Sequence, residues 1–426
     1  MYENRSLKNS WEEQKMKRNM KKLLTLGVTM TAAGFALAAC GGGSTDKKAS
    51  DGNENASIKL WVDVAFVDTY KPLVEQFEKE HKDWKVTIKP SESASAQENL
   101  KKDPSAAADV FMMPHDQLGQ MVDAGIIYAN TKYEDSVKEN STESAVAAAT
   151  YDGKLYGYPY GVESQILYYN KGKLAEDDVK SWETLTSKGK LGANFGEAGA
   201  NYIFTPLFMS NGDELYGKDG EDINGTNFNN DQGVQVLKWI RSQKDNPGVV
   251  QSNADALSNL GNGKIDAYLS GPWSKLDVEK ALGDNFAVAP YPTVDLGNGA
   301  VQQKAFLGVK LFGVNASTKS PVAAMALADF LTNKENQLTV FEKNGTVPAN
   351  KEAQTDGKVT SDKVAEAVMT MSDADHSVVM PKLPAMVTFW GPVEAVINDT
   401  YNGKIAEDQY LPKLDKLVKD TSKSDK

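Results

Sequence analysis

From residue 57 onward, short apolar runs alternate with stretches whose apolar residues recur every three or four positions. IKLWV at 58–62 predicts a strand, and Tyr70, Leu73, Val74 and Phe77 then fall on one face of a helix. WKVTI at 84–88 and ADVFMM at 108–113 predict two further strands, the latter followed by a helix carrying Leu118, Met121 and Val122. DQGVQVLKWIRSQ at 231–243 sets Val234, Leu237, Trp239 and Ile240 at helical spacing, and AYLSGPW at 267–273 predicts a strand entering a Gly-Pro turn. This alternation predicts an α/β protein with helices layered on mainly parallel sheets. Ligands of such sheets sit beyond the C-terminal ends of strands, which draws attention to the loop at Pro114, His115 and Asp116.

The N-terminus breaks the pattern. Lys17, Arg18, Lys21 and Lys22 form a basic patch, followed by an apolar, uncharged run of 17 residues from Leu23 to Ala39. A basic region, a short apolar core and small residues behind it predict a secretory signal rather than a membrane span. Leu37, Ala38, Ala39 and Cys40 resemble the lipobox of bacterial lipoproteins, whose cysteine is acylated and becomes the new N-terminus. Residues 1–39 are therefore expected to be a leader and Cys40 the lipidation site. Glu3, Glu12 and Glu13 do not suit a leader, and Trp-Glu-Glu at 11–13 can be spelled by a purine-rich ribosome-binding sequence, so translation is expected to start at Met16 or Met20. Residues 40–56 hold no large apolar side chain beyond the cysteine and are expected to act as a flexible tether.

Composition narrows the function. One cysteine excludes a disulfide framework, and His81, His115 and His376 are scattered, so neither a metal site nor a cofactor is expected. The formal charge is −11, and removing the leader's seven basic and three acidic residues from 47 and 58 leaves 40 against 55, or −15. An acidic chain of this kind does not neutralise phosphates, so no nucleic-acid partner is expected. A mature length of 387 residues is more than one core normally holds, and two lobes are expected.

Four segments join an aromatic or apolar platform to a carboxylate or amide near a strand end: MPHDQ (113–117), YPYGVES (158–164), SGPW (270–273) and MPKLPAMVTFW (380–390). This mix suits a sugar, whose C–H faces pack on aromatic rings and whose hydroxyls donate to carboxylates. Trp61, Trp84, Trp182 and Trp239 fit ordinary packing. Trp273 and Trp390 each follow a Pro-containing turn that would present them at a rim. His115 reads as a hydrogen-bonded loop histidine, since no nucleophile accompanies it.

In their order behind a lipobox, these segments resemble the maltose/maltodextrin-binding proteins of bacterial ABC importers. FEKEHKDWKVTI, DVFMMPHDQLG, YPYGVESQILYYNK, GPW and MPKLPAMVTFW with AVIN carry the resemblance over nearly all of residues 57–410. It implies a two-lobed, type II periplasmic-binding-protein-like fold with discontinuous lobes joined by crossover segments: 57–162 with 312–362, and 166–308 with 366–426. Glu163 and Gly308 would lie at crossovers. It also implies sugar contacts from Asp116, Glu163, Tyr202, Trp273 and Trp390, with Glu197 the nearest choice for a glutamate beside Tyr202 and Ala200 the gap-free match. This chain departs from the family pattern at several places. Asp63 is the polar residue left after the first strand, with Ala65 and Phe66 standing where an Asp-Lys pair is common. Gln117 stands in place of an arginine, Met113 beside Pro114 in place of a tryptophan, and Gly391 and Glu394 where an aromatic and an arginine are found.

The expected function is capture of maltose or maltodextrin by a monomer, lipid-anchored at the outer face of the membrane of a single-membrane bacterium, and delivery to an ABC permease by closure of the cleft. The alternatives are a same-fold binding protein for another oligosaccharide, such as a β-linked one, and a secreted glycan hydrolase using the same carboxylates.

Overall fold

A computed structural model describes residues 55–422 of the chain. The leader, Cys40 and nearly all of the tether lie outside the described residues. The first sheet has six strands, β1 (Ala56–Val62), β2 (Trp84–Pro90), β3 (Val110–Pro114), β4 (Tyr158–Ser164), β10 (Ala305–Val314) and β11 (Ser377–Val379). The second has five, β5 (Ile166–Asn170), β6 (Leu191–Ala193), β7 (Val249–Gln251), β8 (Ala267–Ser270) and β9 (Phe286–Ala289). Their spatial orders are β11-β10-β3-β1-β2, with β4 also on β10, and β9-β5-β8-β6-β7.

The strands and helices anticipated from periodicity are present. The run at 58–62 lies within β1, the run at 84–88 within β2, and the apolar face at 70–77 lies on helix α1 (Val67–Glu80), which buries Tyr70, Leu73, Val74 and Phe77 against β2 and the helix Pro321–Leu331. Helix α3 (Asp231–Gln243) spans the anticipated segment, begun by the Asn230 side chain, which accepts from the Gly233 N–H at 2.9 Å.

The sheets run mainly parallel, with a minority of reversed strands that makes each one mixed: β1 pairs in parallel with β2 and β3, β10 with β11, and β6 with β7 and β8, but β10 runs antiparallel to both β3 and β4, and β5 runs antiparallel to β8 and β9. The physical reason is connectivity. The chain leaves the first sheet through β4, enters the second as β5 after the single residue Gln165, and comes back through β10, so the outgoing and returning strands run opposite ways side by side. Gly308 faces Glu163 and Lys310 faces Gly161 in that pairing, and the register shifts just after Lys310.

A further passage lies between the helix Gly357–Thr360 and α4 (Lys363–Met371), which packs on β9, β5 and β4. Asp362 caps α4 by accepting from the N–H groups of Val364 at 2.9 Å and Ala365 at 3.1 Å, and its other oxygen pairs with Lys275 at 2.5 Å. Helix α5 (Met386–Tyr401) then packs on α3 and on the short helix α2 (Ala200–Phe204).

The tryptophans separate by burial. Trp182 is 1% exposed, donates from its indole N–H to Gln243 Oε1 at 2.9 Å and meets Trp239 edge-on at 4.9 Å, whereas Trp273 is 56% exposed. Trp182→Ala should cost about 3–5 kcal/mol in urea unfolding through the cavity it leaves, whereas Trp273→Ala should stay within about 0.5 kcal/mol of the parent protein. Equal losses for the two would contradict this division.

Candidate functional site

β3 delivers the first part of the site. Val110 to Met113 are buried between neighbouring strands, Pro114 ends the ladder, and a single turn at His115–Gln117 carries the polar side chains past the sheet edge. Asp116 stands at this strand end as expected. Its Oδ1 is shut off from solvent and has no hydrogen-bond partner among the described residues. Burial, reinforced by the charge of Glu163, raises its carboxyl above the usual range despite the backbone N–H groups nearby. Asp116 therefore presents a desolvated acceptor whose partner is not supplied by the fold.

Glu163, near the end of β4, forms the second acceptor. Every other residue of β4 is buried, while Glu163 is partly open and pairs through Oε2 with Lys310 Nζ at 2.8 Å. Tyr202 on α2 completes the group: burial raises its hydroxyl far above the ordinary value, and the charges of Glu163 and Asp116 add to this, which places all three within electrostatic reach. Its ring lies near-parallel to Phe306 at 6.0 Å and tilts toward Trp390 at 6.4 Å, while Phe306 meets Trp390 edge-on at 5.6 Å. Phe306 is fully buried against these two partly buried rings. Trp390 is held from behind, since its carbonyl accepts from Asn201 Nδ2 at 3.1 Å. It sits in the second turn of α5 rather than directly after a proline turn, so helical packing positions it.

The remaining anticipated residues are placed differently. Met113 is 1% exposed and belongs to the core. Gln117 donates to the Ala94 carbonyl at 2.6 Å and accepts from the Gln97 N–H at 3.1 Å, so its amide fastens a neighbouring turn. Asp63 is similarly engaged, accepting from the Ser93 N–H and, at 3.0 Å, from the Ser93 hydroxyl. Phe66 packs on Tyr70 and Tyr160. Glu197 is exposed and accepts from Asn253 Nδ2 at 3.2 Å, away from the acid pair. Trp273 folds its ring back over Gly271, where a Cβ would stand 2.2 Å from the indole, and no ring contact joins it to the Tyr202 cluster among the described residues. Among the described residues no group of three or more His, Cys, Asp or Glu is placed to hold a metal ion.

Several site neighbours had no signal of their own in the sequence. Phe306 and Lys310 lie within an otherwise apolar strand. His115 is fully buried; its Nδ1 accepts from the Val309 N–H at 3.1 Å, so the proton sits on Nε2, which donates to the Met380 carbonyl at 3.0 Å. The imidazole thus ties the Asp116 loop to β10 and to the segment leading into α5. Lys382, with 4% of its side chain exposed, bonds Glu221 at 3.0 Å and the Ala147 carbonyl at 2.8 Å.

Two mixed sheets joined by crossing strands, with two acids beside a cluster of aromatic rings, define a two-lobed binding protein for a polar solute. Residues 72–367 match the family described as bacterial extracellular solute-binding protein, and the chain belongs to that family. It is 28% identical to the galactooligosaccharide-binding protein of Bacillus subtilis, covering 94% of this chain and 97% of that one. It is also 28% identical to the maltooligosaccharide ABC transporter solute-binding lipoprotein of Streptococcus pneumoniae, over 90% and 93% of the two chains. Among solved structures, the maltodextrin-binding protein of L. casei BL23, determined without ligand, is 45% identical with a TM-score of 0.84, covering 87% of this chain and all of that one. The type II fold follows from this likeness, and the family is one of solute binders, so the protein is not an enzyme. Among the described residues no helix is long and apolar enough to cross a membrane.

His115 provides a test of the local architecture. Burial, with the charge of Lys382 added, pushes its imidazole down to about 4 from 6.5. Between those values the unfolded chain binds a proton that the native protein refuses, so this contribution to stability is present above about pH 6.5 and is lost as pH falls toward 4. Asp213 and Asp329, pushed up to about 6 by burial, act in the opposite sense and are common to parent and variant. The stability advantage of the parent over His115→Gln, measured by urea unfolding, should therefore shrink by on the order of 3 kcal/mol between pH 7 and pH 4. A constant difference would show that His115 is not held neutral.

Proposed function

We propose that the protein captures an α-linked glucose oligosaccharide, maltose or a maltodextrin, outside the cell and presents it to the permease of an ABC importer. The observation that carries this reading is the Asp116 Oδ1, unpartnered among the described residues, with Glu163 and Tyr202 within electrostatic reach and Tyr202 beside the Trp390 ring. A sugar ring satisfies both sides, donating hydroxyls to the carboxylates and laying its C–H face on the aromatics. The maltooligosaccharide and maltodextrin binders among the similar proteins support the same ligand class.

In this reading one lobe comprises residues 57–162 and 312–362 and the other 166–308 and 366–426, with Glu163 and Gly308 at the crossings. Closure of the lobes brings the acceptors and the rings onto one sugar, so ligand favours the closed state by making contacts that only that state completes. Trp273, standing apart from the cluster, extends the aromatic surface along a longer chain. Acylation at Cys40, outside the described residues, holds the monomer at the outer face of the membrane.

A second reading, a galactooligosaccharide as ligand, rests on one observation, the galactooligosaccharide-binding relative of equal identity. Titration of intrinsic tryptophan fluorescence with maltotriose and with a galactotriose separates the two. Maltotriose should change the emission at micromolar concentration and raise the melting temperature through linkage, while the galactotriose should do neither; the reverse pattern would replace the ligand. Trp390→Ala should weaken maltotriose binding by roughly ten- to a hundredfold with the fold retained, and unchanged affinity would remove Trp390 from the site. No reducing ends should appear on incubation with maltoheptaose.

A further inference from the structure

β4 and β10 cross between the sheets as neighbours, and each is buried along its length except at one position, Glu163 in β4 and Lys310 in β10. Those two side chains bond to each other, Nζ to Oε2 at 2.8 Å, although they are not directly opposed: Glu163 faces Gly308 and Lys310 faces Gly161. The diagonal pairing works because the Glu163 side chain lies over Gly308 of the other strand. A Cβ at Gly308 would stand 2.9 Å from Glu163 Cγ and 3.2 Å from its Oε1, whereas at Gly161 the tight neighbour is Thr346 at 2.3 Å and Lys310 Cδ stands at 3.7 Å, in ordinary contact. On its other side Lys310 faces Pro114 of β3, one residue from the turn that carries Asp116.

We propose that Lys310 is a positioning residue of the binding site: it clips the Glu163 carboxylate across Gly308, holding one oxygen so that the other is presented to the ligand. The assignment rests on the sugar-binding reading above. A glutamate side chain has three rotatable bonds, and in a half-open position beside a second acid it would turn toward water without a cation to retain it. The ammonium suits this place because it donates to one oxygen as a point charge and leaves the other free. The clip is built from the strands that join the lobes, so the ligand-facing carboxylate is fixed in the frame of the crossing itself.

The test uses the mature protein with Lys310→Met, Lys310→Arg, Glu163→Gln and the double variant Glu163→Gln/Lys310→Met. Lys310→Met should weaken maltotriose binding by about ten- to thirtyfold in fluorescence titration, Lys310→Arg by no more than about threefold, and Lys310→Met should cost under about threefold when Glu163 is already glutamine. Equal losses in both backgrounds, or wild-type affinity in Lys310→Met, would overturn the proposal. Should the methionine variant not fold, Lys310→Gln takes its place in the cycle. If the parent protein itself binds no maltotriose, the sugar reading fails, and ligand-free crystal structures still decide the role of Lys310. Glu163 leaving Gly308 in Lys310→Met while staying over it in Lys310→Arg supports the clip; a Glu163 that keeps its place in both refutes it.

Discussion

The antiparallel pairing of β4 with β10 is the constraint from which the rest of the molecule follows. These strands belong to the first sheet, yet one passes directly into the second and the other returns from it. Their ladder must close in one register, because a slip of a single residue would carry Glu163 onto the face that packs Tyr158, Tyr160 and Val162 and set those side chains where Gly161 and Pro159 now fit. β10 also pairs with β3 and β11, so the strand that receives the returning chain aligns the loop carrying Asp116 and the segment leading to Trp390. One strand thus sets the distance between acceptors and rings that come from four separate parts of the sequence.

The cost of that arrangement falls on the polar groups. A carboxylate oxygen closed off without a donor destabilises a fold by about 1–3 kcal/mol, and a histidine stripped of water must be kept neutral. His115 is accommodated because the fold gives it one donor and one acceptor in matching positions, the Val309 N–H and the Met380 carbonyl. Asp116, its neighbour in sequence, receives no such compensation at Oδ1. Adjacent residues on one turn therefore have opposite characters: the histidine is a satisfied strut, and the aspartate is an unsatisfied acceptor held still by that strut.

Much of this was legible from the sequence. Strand and helix periodicity located β1, β2, α1 and α3, because each buries one face and leaves the other wet. The family resemblance pointed to Asp116, Glu163, Tyr202 and Trp390, which the structure brings together. The mixed sheets were not legible, since an apolar strand carries no mark of its direction and only the crossing reverses it. Lys310 was equally hidden: a lysine in a run such as AFLGVKLFGV reads as the one solvent-facing residue of a strand, and its partner lies 147 positions away, diagonal rather than opposite. Glu197 and Gln117 show a different limit. Both are polar residues beside the motif, and their local hydrogen bonds with Asn253 and with the turn at 94–97 carry no mark in the sequence.

The balance of charge at the site argues for what it admits. Asp116 and Glu163 are two acids within reach of each other, and Lys310 pairs only with the second of them. An anionic solute would meet uncompensated repulsion in a partly desolvated space, where it is least screened. An apolar solute would leave Asp116 Oδ1 as unsatisfied as before and so gain nothing from the stored cost. A neutral ligand rich in hydroxyls is the class that returns that cost on binding, because each donated O–H replaces a missing partner without adding charge. In the proposed reading, the wall formed by Tyr202 and Trp390 over Phe306 then discriminates by shape, accepting a flat C–H face against the rings and leaving hydroxyls at its edge to reach the acids. Selectivity in that reading arises from an acceptor that has no partner among the described residues and from the strand pairing that sets its place beside Glu163.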